Sequence, residues 1–199
     1  MFRALVVAAA LVCAAPALAQ PTDPQNTLLI DTTQGRIVIK LRNDLAPKHA
    51  ERLKTLAREK FYDNVPFHRV IAGFMAQTGD GQNGNGTGGS KYPNLPAEFS
   101  KVSFKRGIVG MARRGDSNDS ANSQFFIMNA DGTFLDNKYT VVGEVVSGMD
   151  VVDKIYSGYG EGAPRGQGPE QGRIQMEGNA YLTKDFSRLD YIKKATIEQ

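Results

Sequence analysis

The sequence predicts one mainly β domain, an antiparallel barrel accompanied by two helices, and three observations lead there. Short apolar and β-branched runs recur along the chain, the 21 Gly separate them without a fixed period, and only two stretches show helical spacing. Hydrophobic residues make up 41% of the 199, enough for one core, and no internal repeat is present. Lys and Arg number 24 against 21 Asp and Glu, so a net charge of +3 is too small to imply nucleic acid or another polyanion.

Residues 1–19 stand apart from the fold. Arg3 supplies a positive start, and the apolar run Ala4–Ala19 spans 16 residues, short of the ~18 to 20 that cross a bilayer as a helix. It closes on Ala17-Leu18-Ala19, the small-residue pattern of a cleaved secretory signal. The expected product begins at Gln20 and works in the periplasm or outside the cell, with no membrane attachment after cleavage. The single Cys, Cys13, leaves with the signal, so the mature chain forms no disulfide and holds no thiolate chemistry.

In the remaining chain, residues 20–26 read as a polar leader, and residues 27–199 as a single domain with a C-terminal extension. Thr27 to Thr33 and Arg36 to Leu41 alternate apolar and polar residues around Gln34-Gly35, which predicts a hairpin. Pro47 to Lys60 places Leu53, Leu56 and Ala57 on one face and predicts a helix with Pro in its first turn. Phe67 to Gln77 reads as a strand with a bulge at Ala72-Gly73. Gly79 to Gly89 is loop. Further strands are expected at Gly107 to Ala112, Gln124 to Met128, Thr140 to Val145 and Arg173 to Leu182, with a second helix near Met149 to Tyr156. Gly160 to Gly172 is a loop inside the domain, because too few residues follow it to build another core.

Several chemistries are poorly supported. Gly84 to Lys91 has glycines, but no Gly-Lys-Ser order and no helix after it, since Pro93 and Pro96 follow. His49 and His68 are nineteen residues apart, which is not a metal-ligand spacing; His49 reads as a solvated helix residue and His68 as a hydrogen-bonded residue of the core or wall. Asp116, Asp119, Asp131 and Asp136 lack the alternation of a calcium loop and read as turn residues. Ser123 has no Gly-x-Ser-x-Gly setting. No metal and no cofactor are expected.

What remains is an ordered set of segments: Phe67-His68-Arg69, Gly73-Phe74-Met75-Ala76-Gln77, Gly86-Thr87-Gly88-Gly89, Met111-Ala112-Arg113, Ser123-Gln124-Phe125-Phe126-Ile127 and Phe134-Leu135-Asp136. Together they resemble the cyclophilins, a family of peptidyl-prolyl cis-trans isomerases, from about Leu28 to about Leu182. The resemblance implies a closed eight-stranded antiparallel barrel capped by two α-helices, with a peptide groove on its outer wall. It implies catalytic roles for Arg69, Gln77 and Phe126. Around the bound peptide it implies Phe74, Met75, Gly86, Ala112, Arg113, Arg114, Gln124, Phe134, Leu135 and Tyr139, with the proline ring between Phe74, Met75, Phe126 and Leu135. Many family members carry Trp in place of Phe134 and His in place of Tyr139, a departure that argues against tight cyclosporin inhibition. The loop from Arg113 to Asn122 and the stretch beyond Gly160 also depart from the shortest members.

Prolyl isomerisation breaks only the partial double bond of the amide, whose resonance raises a barrier of ~18 to 20 kcal/mol. The twisted amide has a pyramidal nitrogen with a lone pair, which a guanidinium can stabilise; Arg69 fits that role. Gln77 would hold Arg69 or the substrate carbonyl, and the backbone at Arg113 the residue before proline. An apolar pocket excludes water and strengthens those bonds. The expected partners are proline-containing peptides and folding exported proteins, met by a monomer. Two other classes stay open at this level: a proline-peptide-binding chaperone with little catalysis, and a ligand-carrying barrel with a hollow interior.

Overall fold

The computed structural model describes residues 23–81 and 88–198. The expected signal segment and Gly86 lie outside the described residues. Strands β1 (Thr27–Thr32) and β2 (Gly35–Leu41) form the hairpin, with Thr32 opposite Gly35, so the two loop residues are Thr33 and Gln34. Helix α1 (Pro47–Arg58) follows, then β3 (Val65–Pro66), β4 (Arg69–Ile71), β5 (Met75–Thr78), β6 (Ile108–Met111), β7 (Phe125–Met128), β8 (Val141–Ser147), α2 (Met149–Lys154), α3 (Gln171–Asp185) and β9 (Tyr191–Ile197).

The sheet runs β3-β9-β1-β2-β8-β6-β7-β5-β4, and its neighbours pair antiparallel. Its first and last members, β3 and β4, are separated in the chain only by Phe67 and His68. Three residue steps span at most ~11 Å. The sheet therefore curls enough to bring the end of β3 within that reach of β4, although no ladder joins β3 to β4 to close the expected barrel, and nine strands replace the expected eight because the segment Val65–Ile71 is broken at Phe67-His68.

Three other expectations change. Ala72-Gly73 is not a bulge: Gly73, at φ +70°, sits in the tight loop of a β4–β5 hairpin. Residues 173–182 are not a strand but part of α3, where Arg173 pairs with Glu177 one turn on and Met176 is exposed. β9 is a strand that periodicity hid. Its pairing slips between Asp31 and Thr32, so Ile192 and Ala195, three apart, both reach the core.

The core fills the curl. Leu28 and Ile30 of β1 and Ile37 and Ile39 of β2 are fully buried at alternate positions, as a sheet with one inward face requires. Leu53, Leu56 and Ala57 of α1 and Val151 and Val152 of α2 complete the cluster. Each of these Val, Leu and Ile side chains stabilises by ~1.5 to 3 kcal/mol on burial. α1 packs on β9 and β8, and α2 on β2. His49 is not solvated: it is fully buried, on the face of α1 that carries Leu53 and Leu56. Ala46 cannot cap this helix, so the Glu98 carboxylate does, accepting from the backbone N–H of Lys48 and of His49 and standing 2.7 Å from His49 Nδ1.

Candidate active site

Strand alternation builds the site. In β4 and β5 the ladder sets Arg69 opposite Gln77, and β7 sets Phe126 opposite Gln77. Arg69, Gln77 and Phe126 thus form one row across three strands, on the outer wall of the curled sheet. The adjoining row, Val70, Ala76, Ile127 and Val109, is buried in the core on the inner face. Ile71, Met75 and Met128 form the next outward row.

A groove of about 290 Å³ opens over these outward rows. It is lined by Arg69, Phe74, Met75, Gln77, Ala112, Arg113, Phe126, Phe134, Leu135 and Tyr139, ten of the thirteen expected residues. Met75, Phe126 and Leu135 are buried at its floor, with Phe74 packed against them. Phe126 stacks on Phe104 at 5.8 Å and meets the edge of Tyr139 at 5.6 Å. Phe74 and Phe134 tilt together at 5.5 Å. The Arg113 guanidinium lies 4.7 Å over the Tyr139 ring and donates to the Lys138 carbonyl.

Two expected residues stand outside the groove. Gln124 supports it from behind: Gln77 Nε2 donates to Gln124 Oε1 at 3.1 Å, and Gln124 Nε2 donates to the Gly88 carbonyl at 3.2 Å. The Gln77 amide is thereby oriented with its oxygen toward Arg69. Arg114 is exposed and paired with Asp116. Ser123 is fully buried, out of a substrate's reach.

Sequence reasoning missed Glu161. Its carboxylate accepts from Arg69 Nε at 2.8 Å and Nη2 at 2.7 Å, while Arg69 Nη1 donates to Gln77 Oε1 at 3.2 Å. The Arg69 bonds hold the Glu161 carboxyl below the usual carboxylate range, against the opposing effect of burial. Nothing local marks this residue, which lies 92 positions from Arg69 and shares its glycine-rich loop with a second acid, Glu170.

His68 is buried, and burial pushes its imidazole down to about 4 although the Asp80 carboxylate pulls the other way. It precedes β4, so strand alternation does not govern it, and it lines a second cavity on the other side of Arg69. Among the described residues no group of three or more His, Cys, Asp or Glu is placed to hold a metal. No described helix is long and apolar enough to cross a membrane.

The sequence model of the family described as cyclophilin type peptidyl-prolyl cis-trans isomerase/CLD matches residues 27–176. The chain belongs to the cyclophilin family. This cyclophilin is 55% identical over 169 residues to a probable peptidyl-prolyl cis-trans isomerase of Brucella suis, covering 78% of this chain and 86% of that one. A peptidyl-prolyl cis-trans isomerase of Encephalitozoon cuniculi is 44% identical over 129 residues, covering 61% and 73%. The crystal structure of a Hirschia baltica cyclophilin matches with a TM-score of 0.68 at 25% identity, over 88% of this chain and 74% of that one. A Cryptosporidium parvum cyclophilin-type isomerase, solved in the presence of the dipeptide Ala-Pro, shares the fold with a TM-score of 0.67 at 22% identity, over 87% and 99%.

Proposed function

We propose that this cyclophilin catalyses rotation about Xaa-Pro bonds in exported proteins, with Arg69 as the donor to the twisted amide. The observation that carries this reading is the Arg69-Gln77-Phe126 row, which sets a guanidinium against an apolar floor. The proline ring enters between Phe74, Met75, Phe126 and Leu135. As the amide twists, its nitrogen becomes pyramidal, and the Arg69 guanidinium donates to the new lone pair. Gln77 holds Arg69 in place, and the backbone at Arg113 holds the residue before proline. No σ bond breaks and no proton is transferred.

A protease-coupled assay on a blocked Ala-Pro-Phe peptide tests the reading. The chain accelerates isomerisation, and Arg69→Ala lowers kcat/KM by about 10² to 10³, the loss typical of one donor to a transition state. Activity within threefold of wild type at unchanged melting removes Arg69 from the role. The export reading rests on the apolar run and the Ala17-Leu18-Ala19 ending. Mass spectrometry of fractionated native protein checks it, with a first residue of Gln20 outside the cytoplasm as the expected result.

A further inference from the structure

We propose that Glu161 is a positioning residue for isomerisation, holding the Arg69 guanidinium by one edge so that its Nη1 faces the groove. This rests on the catalytic role of Arg69 given above. A guanidinium carries five N–H donors in a planar fork, and a carboxylate can take two of them side by side. Glu161 takes Nε and Nη2 of Arg69 in that manner. Gln77 Oε1 takes one proton of Nη1, and among the described residues the further contact of Nη1 is the Met75 sulfur at 3.9 Å, a weak acceptor. Met75 lies at the groove floor, so Nη1, with one proton on Gln77 and the other turned toward a weak acceptor, is directed to where the substrate amide sits.

Glu161 is itself held. Gly160 bridges to Val70 of β4, the Glu161 carbonyl accepts from the Gly168 N–H at 2.9 Å, and Glu161 Oε1 accepts from the Gly162 N–H at 3.2 Å. Behind the pair lies a cavity of about 300 Å³, walled by His68, Arg69, Glu161, Pro164, Arg165 and Pro169 among others. Arg69 lines both this cavity and the groove. Without the Glu161 carboxylate the guanidinium has room to swing back, and its rotamer freedom is no longer restrained.

The test measures kcat and KM separately for Glu161→Gln and Glu161→Ala on a cis-enriched proline peptide, with melting followed in parallel. Glu161→Gln keeps the size of the side chain and one acceptor, so it decides the matter if Glu161→Ala disturbs the loop. Expected is a fall in kcat of roughly tenfold for Gln and more for Ala, with KM within twofold, because positioning acts on the reacting geometry. The Arg69 Nε–H NMR signal, protected in the wild type, exchanges rapidly in Glu161→Ala. A kcat within twofold of wild type in both variants, or a loss confined to KM, overturns the proposal. If Arg69→Ala itself keeps full activity, the failure lies in the catalytic reading instead.

Discussion

Gly110 of β6 stands opposite Phe126 of β7, and the Phe126 ring occupies the space that a side chain at Gly110 would need. A Cβ there would collide with Phe126 Cζ and come within 2.7 Å of Phe104 Cε1. The glycine thus extends the Arg69-Gln77-Phe126 row by one strand and seats its aromatic member. Gly110→Ala must push Phe126 toward the groove or Phe104 into the surrounding cluster. Overpacking of this kind costs ~1 to 3 kcal/mol. Thermal melting should show that loss, and kcat/KM should fall several-fold because the floor of the groove moves.

Two phenylalanines of the groove should separate stability from binding. Phe126 is 5% exposed and packed between Phe104 and Tyr139, whereas Phe134 is 61% exposed. Phe126→Ala should destabilise by ~3 to 5 kcal/mol, as large core truncations do. Phe134→Ala should change stability by less than ~0.5 kcal/mol while raising KM, since an exposed groove side chain contributes little to folding. Denaturant melts with peptide kinetics on the same samples check both; equal stability losses would show that the groove is not open at Phe134.

Acid should weaken the fold before it weakens catalysis. Burial pushes the His68 imidazole down to about 4 in the folded protein, below the ~6.5 of an exposed histidine. The unfolded chain therefore takes up a proton between those values that the folded chain refuses. Stability present above pH 6.5 is lost as pH falls toward 4, by on the order of 3 kcal/mol for His68. Burial lowers His49 in the same direction, with Glu98 opposing it. Tm measured from pH 7 to pH 4.5 should fall, and His68→Gln should flatten part of that slope. A wild-type Tm constant over the range contradicts the burial of a neutral His68.

Catalysis should show no imidazole signature. Arginine and glutamine side chains keep one protonation state across neutral pH, so kcat/KM on a blocked peptide without histidine should be nearly flat from about pH 6 to pH 8.5. A tenfold fall through pH 6.5 that vanishes in His68→Gln would falsify the arginine mechanism.

Much of this was legible before any coordinates. Alternation located β1 and β2, the i, i+3, i+4 spacing of Leu53, Leu56 and Ala57 located α1, and the ordered segments from Phe67 to Asp136 pointed to the family and to the ten residues that line the groove. Where period-2 reasoning failed, a specific physical cause can be named. The apolar residues of 173–182 alternate, but that stretch lies in α3, whose Tyr181 and Leu182 pack with Phe186, just past the helix end, into a small cluster with Tyr159 and Leu189. In β9 the alternation is real but a bulge shifts it past Lys193, so Ile192 and Ala195 read as unrelated. His49 shares a face with Leu53, a signal present in the sequence, yet its partner Glu98 is 49 residues away.

The sequence by itself determined the local elements and the residue types of the groove, because backbone propensity and side-chain periodicity act over a few neighbouring positions. Only the tertiary structure decided that Arg69, Gln77 and Phe126 share one row, that Gly110 seats the ring, and that Glu161 grips the guanidinium. Those relationships depend on strand register and on one loop crossing the edge of β4. Register follows from burying a whole face at once, and the Glu161 contact closes a loop of 92 residues, so neither is written in any short stretch of chain.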